Sequence, residues 1–180
     1  MDKVERLWTR EEIRNLLNSY CHGIDRRDWD LVRSCFGEDH EHSHQSFQGN
    51  LDEFVSFAKS FQTEVATSHH SITNAKIQIS EDGKSAHCDS NFIAFHMIEE
   101  GKFPKRSLPS NGQGTHWTLE GRYIDDLKYR NGAWVIVKRE ALISGLDRSQ
   151  FSVYCIIPQM AECRHRSNLG ALPTLAWAQV

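Results

Sequence analysis

The sequence predicts an α+β fold: a cone-shaped, curved antiparallel sheet with N-terminal helices packed on its concave face, enclosing a pocket. Three observations predict it. Apolar residues recur at helical spacing early in the chain, as in Ile13, Leu16, Leu17, Tyr20 and Ile24. From Thr67 onward the period changes to two. The second half also carries two hairpin signals, Glu81-Asp82-Gly83-Lys84 and Asn131-Gly132, between long runs of strand-forming residues. Long strands joined in succession must twist and curl. Helices laid across the concave side then close one end of a cone, a shape that holds a ligand-sized cavity.

Thr9-Arg10-Glu11-Glu12 reads as a capping box that opens the first helix. Gly23 and the charged run Asp25-Arg26-Arg27-Asp28 end it near residue 26. Asp28 or Asp30 caps a short second helix through Leu31, Val32 and Phe36, and Gly37-Glu38-Asp39 reads as a turn. His40 to Phe47 alternates as a strand, with His40, His42 and His44 on one side, and Gly49-Asn50 breaks it. Leu51, Phe54, Val55, Ala58 and Phe61 mark a further amphipathic helix to about Val65. Strands follow over His70–Ser80, Ala86–Glu99, Thr115–Arg130 and Ala133–Ser144. Gly101 to Gly114, with Pro104, Pro109 and Asn111-Gly112, reads as a long loop. Phe151 to Ile157 reads as a strand or turn, and Leu169 to Val180 is apolar enough to dock on a surface.

The 180 residues fit one domain, 1–180, with 146–180 as a C-terminal extension. A net charge of -3 without a basic stripe argues against a nucleic-acid or anionic-membrane partner. No apolar run approaches the roughly 20 residues of a membrane span. Met1 to Arg6 lacks the apolar core of a signal peptide. The five cysteines are odd in number and lack metal-knuckle spacing, as expected of reduced thiols in the cytoplasm.

The chemistry gathers around Asp25 and His70. A carboxylate in the last turn of a helix faces the negative end of the helix dipole and needs a compensating donor. A salt bridge to Arg26 or Arg27 is one solution; a histidine from a neighbouring strand is the other. Five steps along an ideal helix turn the direction by about 140°, so Tyr20 and Asp25 point inward together only where the helix ends or distorts. His70 looks into the pocket if it shares a face with Ile72 and Asn74, and His69 then looks out. Imidazole is the usual general base near neutral pH, and a carboxylate on its second nitrogen fixes the tautomer. Tyr20 lies on the apolar stripe, either as a core ring or as a donor to a substrate oxygen. His40, His42 and His44 form either a polar pocket wall, with His44 against substrate, or part of a metal site; no fourth ligand stands at a diagnostic spacing. Phe54, Phe92, Phe95, Trp117 and Trp134 are candidates for apolar lining or plain core, and His96 and His116 are further candidates without an assigned place.

Tyr20…Asp25-Arg26-Arg27-Asp28-Trp29, Ser68-His69-His70-Ser71-Ile72-Thr73-Asn74 and the hairpin Gly121-Arg122-Tyr123-Ile124-Asp125-Asp126-Leu127…Gly132-Ala133-Trp134-Val135-Ile136-Val137-Lys138-Arg139 together resemble the SnoaL-like family. That family belongs to the nuclear transport factor 2-like superfamily. The resemblance spans roughly residues 6 to 145 and implies a lyase or isomerase of dehydratase type, working without cofactor or metal on a small hydrophobic molecule. It places Asp25 and His70 at the catalytic dyad, Tyr20 at the tyrosine of a dehydratase pattern, Asn74 at the asparagine four residues after the histidine, there to orient substrate or to hold a neighbouring loop, and Arg139 near a catalytic arginine. The His40–His44 run departs from the more apolar strand of those enzymes. The resemblance also implies a homo-oligomer, trimer or dimer. A non-catalytic binding protein or assembly subunit on the same cone is the alternative, and it expects a pocket in which Asp25 and His70 do not meet.

Overall fold

A computed structural model describes residues 1–44, 47–98 and 114–151, with side chains as far as Arg148. The expected loop over 101–113 and the tail beyond Phe151 lie outside the described residues. Helix α1 spans Lys3–Arg26 and starts well before the expected cap at Thr9. The capping box is made instead by Asp2 and Glu5, each carboxylate accepting the other residue's backbone N–H at 2.8 and 2.7 Å. Both stretches carry the same signature. The earlier one prevails because extending an existing helix adds one hydrogen bond per residue, whereas starting one is costly. Thr9 is a buried residue within the helix. Arg27, at φ 59, ends α1 in the left-handed region. Asp28 then caps α2, Trp29–Ser34, accepting from the Leu31 N–H at 3.0 Å.

Strand β1 spans Phe36–His44, and β2, Phe47–Asn50, pairs back on it. The expected turn at Gly37–Asp39 is absorbed into β1 as a register shift between Phe36 and Glu41. Its turn-forming residues mark a bulge rather than a strand end. Asn50 caps α3, Leu51–Gln62, in a second capping box with Glu53. Four long strands follow: β3 Val65–Ile79, β4 Ser85–Ile98, β5 Gly114–Arg130 and β6 Ala133–Phe151. Strand β6 thus runs past Ser144. Asn131 and Gly132 take φ 53 and 83, the mirror-image turn that matches strand twist.

The six strands lie in the order β2-β1-β6-β5-β4-β3. The sheet is antiparallel except where β1 runs parallel to β6. The four long strands form the expected antiparallel meander, and the parallel β1–β6 pair adds to it. A parallel neighbour requires a long crossover, and everything from α3 through β5 supplies it. Bulges between Thr73 and Lys76, Glu120 and Gly121, and Asp126 and Leu127 bend the long strands around the helices. The core fills the concave side: Ile13, Leu17 and Ile24 of α1 pack with Val55 of α3 and with Phe92 and Ile136 of the sheet.

Gly121 sits opposite Phe92 at one of these bulges. A Cβ there would strike the Leu142 carbonyl oxygen and stand 2.8 Å from the Phe92 ring. Because backbone cannot yield as a flexible side chain does, Gly121→Ala is expected to destabilise the fold by about 1–3 kcal/mol. Urea unfolding measures this directly, and an unshifted midpoint would refute it.

Candidate active site

The last turn of α1 passes beside the start of β3, and there Asp25 meets His70. Asp25 Oδ1 lies 2.6 Å from His70 Nδ1. Asp25 Oδ2 accepts the His70 backbone N–H at 2.8 Å, and the Ser68 hydroxyl donates to Oδ1 at 3.0 Å. Gln62 of α3 in turn donates to the Ser68 oxygen at 3.3 Å. These donors answer the unfavourable helix end. Burial alone would raise the Asp25 pKa, but the ring, charge and N–H of His70 and the Ser68 hydroxyl outweigh it and hold the carboxyl below its ordinary range. Arg27 is not its partner; that guanidinium donates to the Val65 carbonyl at 2.5 Å.

The helix does not distort to bring Tyr20 and Asp25 to one side. Tyr20 faces the core, and Asp25 stands on the flank of α1 behind His70, which crosses from β3. An ionised carboxylate only accepts hydrogen bonds. The Nδ1 of His70 therefore carries a proton, and in the neutral ring Nε2 holds the lone pair. The side chains of the pair are only 9% and 13% exposed.

The His70 ring lines a cavity of about 230 Å³ between the helices and the sheet. Tyr20, His44, Phe54, Phe92 and Trp117, all candidates from the sequence, line it as well. His42, one of the three strand histidines, lines it too, and His96, Phe61, Gln62 and Tyr123 complete much of the wall without having been assigned to it. The His96 ring stands edge-on to His70 at 5.3 Å.

Other assigned residues lie elsewhere. Asn74 is exposed at φ 53 within the β3 bulge and does not line the cavity. The bulge adds a residue and switches the inward phase from His70 and Ile72 to Ala75 and Ile77. Phe95 points out of the opposite face of β4, stacked on His116 at 5.7 Å, while Ala94 and His96 point in. Trp134 is core, packed with Tyr129 rather than lining the cavity.

Arg139 is placed beneath the cavity rather than in its wall. It is fully buried and forms a two-pronged pair with Asp125, Nε to Oδ1 and Nη2 to Oδ2, both 2.7 Å. Its guanidinium rests on the Tyr20 and Tyr123 rings at 4.2 and 4.3 Å, in the corner those perpendicular rings make. Burial works against the Arg139 charge, and the Asp125 carboxylate outweighs it and raises its pKa. Burial pushes the Tyr20 phenol up to about 12, with Arg139 only partly opposing, so Tyr20 is a proton-bearing donor at neutral pH.

Burial also holds the inward histidines neutral, with nearby Arg139 adding to the effect for the first two. His40 is lowered from 6.5 to about 4, His42 to about 2 and His96 to about 3. His40 Nε2 and His42 Nδ1 face each other at 3.2 Å. Among the described residues, no three His, Cys, Asp or Glu side chains form a group suited to a metal ion. An acid-sensitive fold follows from the lowered values. Below pH 6.5 the unfolded chain takes up protons on these histidines while the folded chain does not, so stability is lost as pH falls from 6.5 toward 4. Asp25 adds its own loss below its unfolded value of 3.8. Melting temperature is expected to decline steadily from pH 7 to pH 5, and a flat profile would contradict it.

With the fold and this geometry in place, one comparison decides the family. The profile of the SnoaL-like domain matches residues 5–140. The chain belongs to the SnoaL-like family. No curated protein matches the sequence. Among solved structures, a scytalone dehydratase candidate from Novosphingobium aromaticivorans is similar, with a TM-score of 0.68 and 19% identity over 84% of this chain and 93% of that one. A hexachlorocyclohexane dehydrochlorinase of type 3 from Novosphingobium barchaimii has a TM-score of 0.68 and 14% identity, covering 87% of this chain and 99% of that one. At such identities the likeness establishes this SnoaL-like chain's fold. Among the described residues, no helix is long and apolar enough to cross a membrane.

Proposed function

We propose that this SnoaL-like protein is a cofactor-independent lyase or isomerase of dehydratase type, acting on a mid-sized hydrophobic cyclic substrate. The observation that carries the reading is the 2.6 Å contact between Asp25 and a His70 whose ring lines the cavity. His70 Nε2 takes a proton from a carbon beside a carbonyl or leaving group. Asp25 stabilises the imidazolium that forms. The electron pair left on carbon moves to the carbonyl oxygen or expels the leaving group, and the Tyr20 O–H donates to the oxygen that gains charge. The neighbours named as a dehydratase and a dehydrochlorinase support an elimination. The dyad contact favours catalysis over the binding-only cone, which expected the two side chains apart. The outward Phe95 and Leu142, 36% and 37% exposed, support assembly into a homo-oligomer, which sedimentation would read.

The test is turnover of a panel of cyclic hydroxyketones and halocyclohexanes by the wild type, His70→Ala and Asp25→Asn. Activity in the wild type that both substitutions abolish is expected. Activity that survives both overturns the proposal.

A further inference from the structure

The charges around the cavity are separated, and their separation bears on what it binds. Of the described side chains lining it, Arg148 alone is a Lys, Arg, Asp or Glu. It is exposed, near the end of β6, and its guanidinium lies over the Trp117 ring at 5.0 Å. No carboxylate pairs with it among the described residues. The neighbouring Asp147 belongs to the other face, opposite Thr118. The buried Arg139 is neutralised by Asp125.

Register fixes the distances. Arg148 pairs with Trp117, Trp117 with His96 and His96 with Ser68, across β6, β5, β4 and β3. Leu146, Leu119, Ala94 and His70 form the adjacent row. Three strand spacings of about 4.8 Å put Arg148 about 14 Å from the His70 end of the cavity, less where the sheet curls. At the His70 end stands the Asp25 carboxylate, directly behind the base. The cavity is therefore negative behind its base and positive at its far end. His42, His44 and His96, held neutral by burial, add no charge between them.

We infer that the substrate carries a carboxylate, which Arg148 receives while the reacting carbon lies at His70. The inference rests on the elimination reading and adds to it the polarity and orientation of the ligand. A carboxylate at the other end would face Asp25 across one imidazole ring and be repelled. Stacking on Trp117 holds the planar fork of Arg148 in place and leaves its N–H edges for a two-pronged carboxylate contact. A rigid bicyclic or tricyclic acid fits the separation between Arg148 and His70.

Calorimetry with 2-naphthoate against 2-naphthamide, and anthracene-2-carboxylate against its amide, tests this without turnover. A charge-assisted contact at a partly exposed guanidinium is expected to favour each acid by about tenfold over its amide. The preference should shrink as salt is raised, because the arginine is reached by solvent. It should vanish in Arg148→Gln, with amide affinity and melting temperature unchanged, and return in part in Arg148→Lys. Equal binding of acid and amide, no binding of either, or a preference that survives Arg148→Gln overturns it. Repeating the titration in His70→Ala separates the two claims. Loss of turnover there tests the base, whereas the acid preference persists whether or not His70 is the base.

Discussion

His70→Ala is expected to lower turnover by about 10²–10⁴-fold, the usual contribution of a positioned general base, while leaving the protein folded. The imidazole touches both the cavity and Asp25, and among the described residues no other histidine lining the cavity is paired with a carboxylate. The braces are all on Asp25: the Ser68 hydroxyl at 3.0 Å and the His70 backbone N–H at 2.8 Å remain after the ring is gone. The carboxylate therefore keeps two donors, and the helix end stays compensated. Asp25→Asn should cost a comparable factor by another route. An amide N–H₂ donating to Nδ1 would move the ring proton to Nε2, and the lone pair would then face away from substrate. Unchanged turnover in His70→Ala would remove the base assignment.

Asp25 and His70 were legible in the sequence because each is marked by local pattern. One sits at a helix end that needs a donor, and the other opens a run with a period of two. Tyr20 and Phe54 were legible because each lies in phase with its apolar neighbours, and His44 because it shares a strand face with His40 and His42. Asn74 was misplaced because parity carries along a strand only until a bulge, and nothing in Thr73-Asn74-Ala75-Lys76 announces one except an asparagine suited to positive φ. Phe95 was misplaced because both phases of β4 are apolar: Phe92 and Ala94 on one, Ile93 and Phe95 on the other. Period alone does not choose between them. The Asp125–Arg139 pair and the parallel β1–β6 contact are tertiary facts. They depend on which strands become neighbours, and no local signal records that. Ser68 and Gln62 were missed likewise, for a hydroxyl and an amide become a brace only once α3 lies over the start of β3.

Arg139→Met is expected to destabilise the fold by about 3–5 kcal/mol, the cost of leaving a buried charge without its partner. Both Asp125 and Arg139 are 0% exposed. Their two contacts, each 2.7 Å, take up both carboxylate oxygens. With the guanidinium gone, Asp125 must either remain charged in an apolar surrounding or take a proton, and each course works against folding. Arg139→Met with Asp125→Leu together should cost much less than the single change, since the pair's attraction is largely offset by its own desolvation. Urea unfolding of the wild type, the two singles and the double gives the coupling directly. A double variant as unstable as Arg139→Met would show that the loss comes from packing on the Tyr20 and Tyr123 rings instead. Activity in the double variant then carries separate information. Arg139 holds the Tyr20 ring from below at 4.2 Å, and Tyr20 lines the cavity. A stable double variant with weakened turnover would assign the arginine to positioning the phenol, through contact with its ring rather than with substrate.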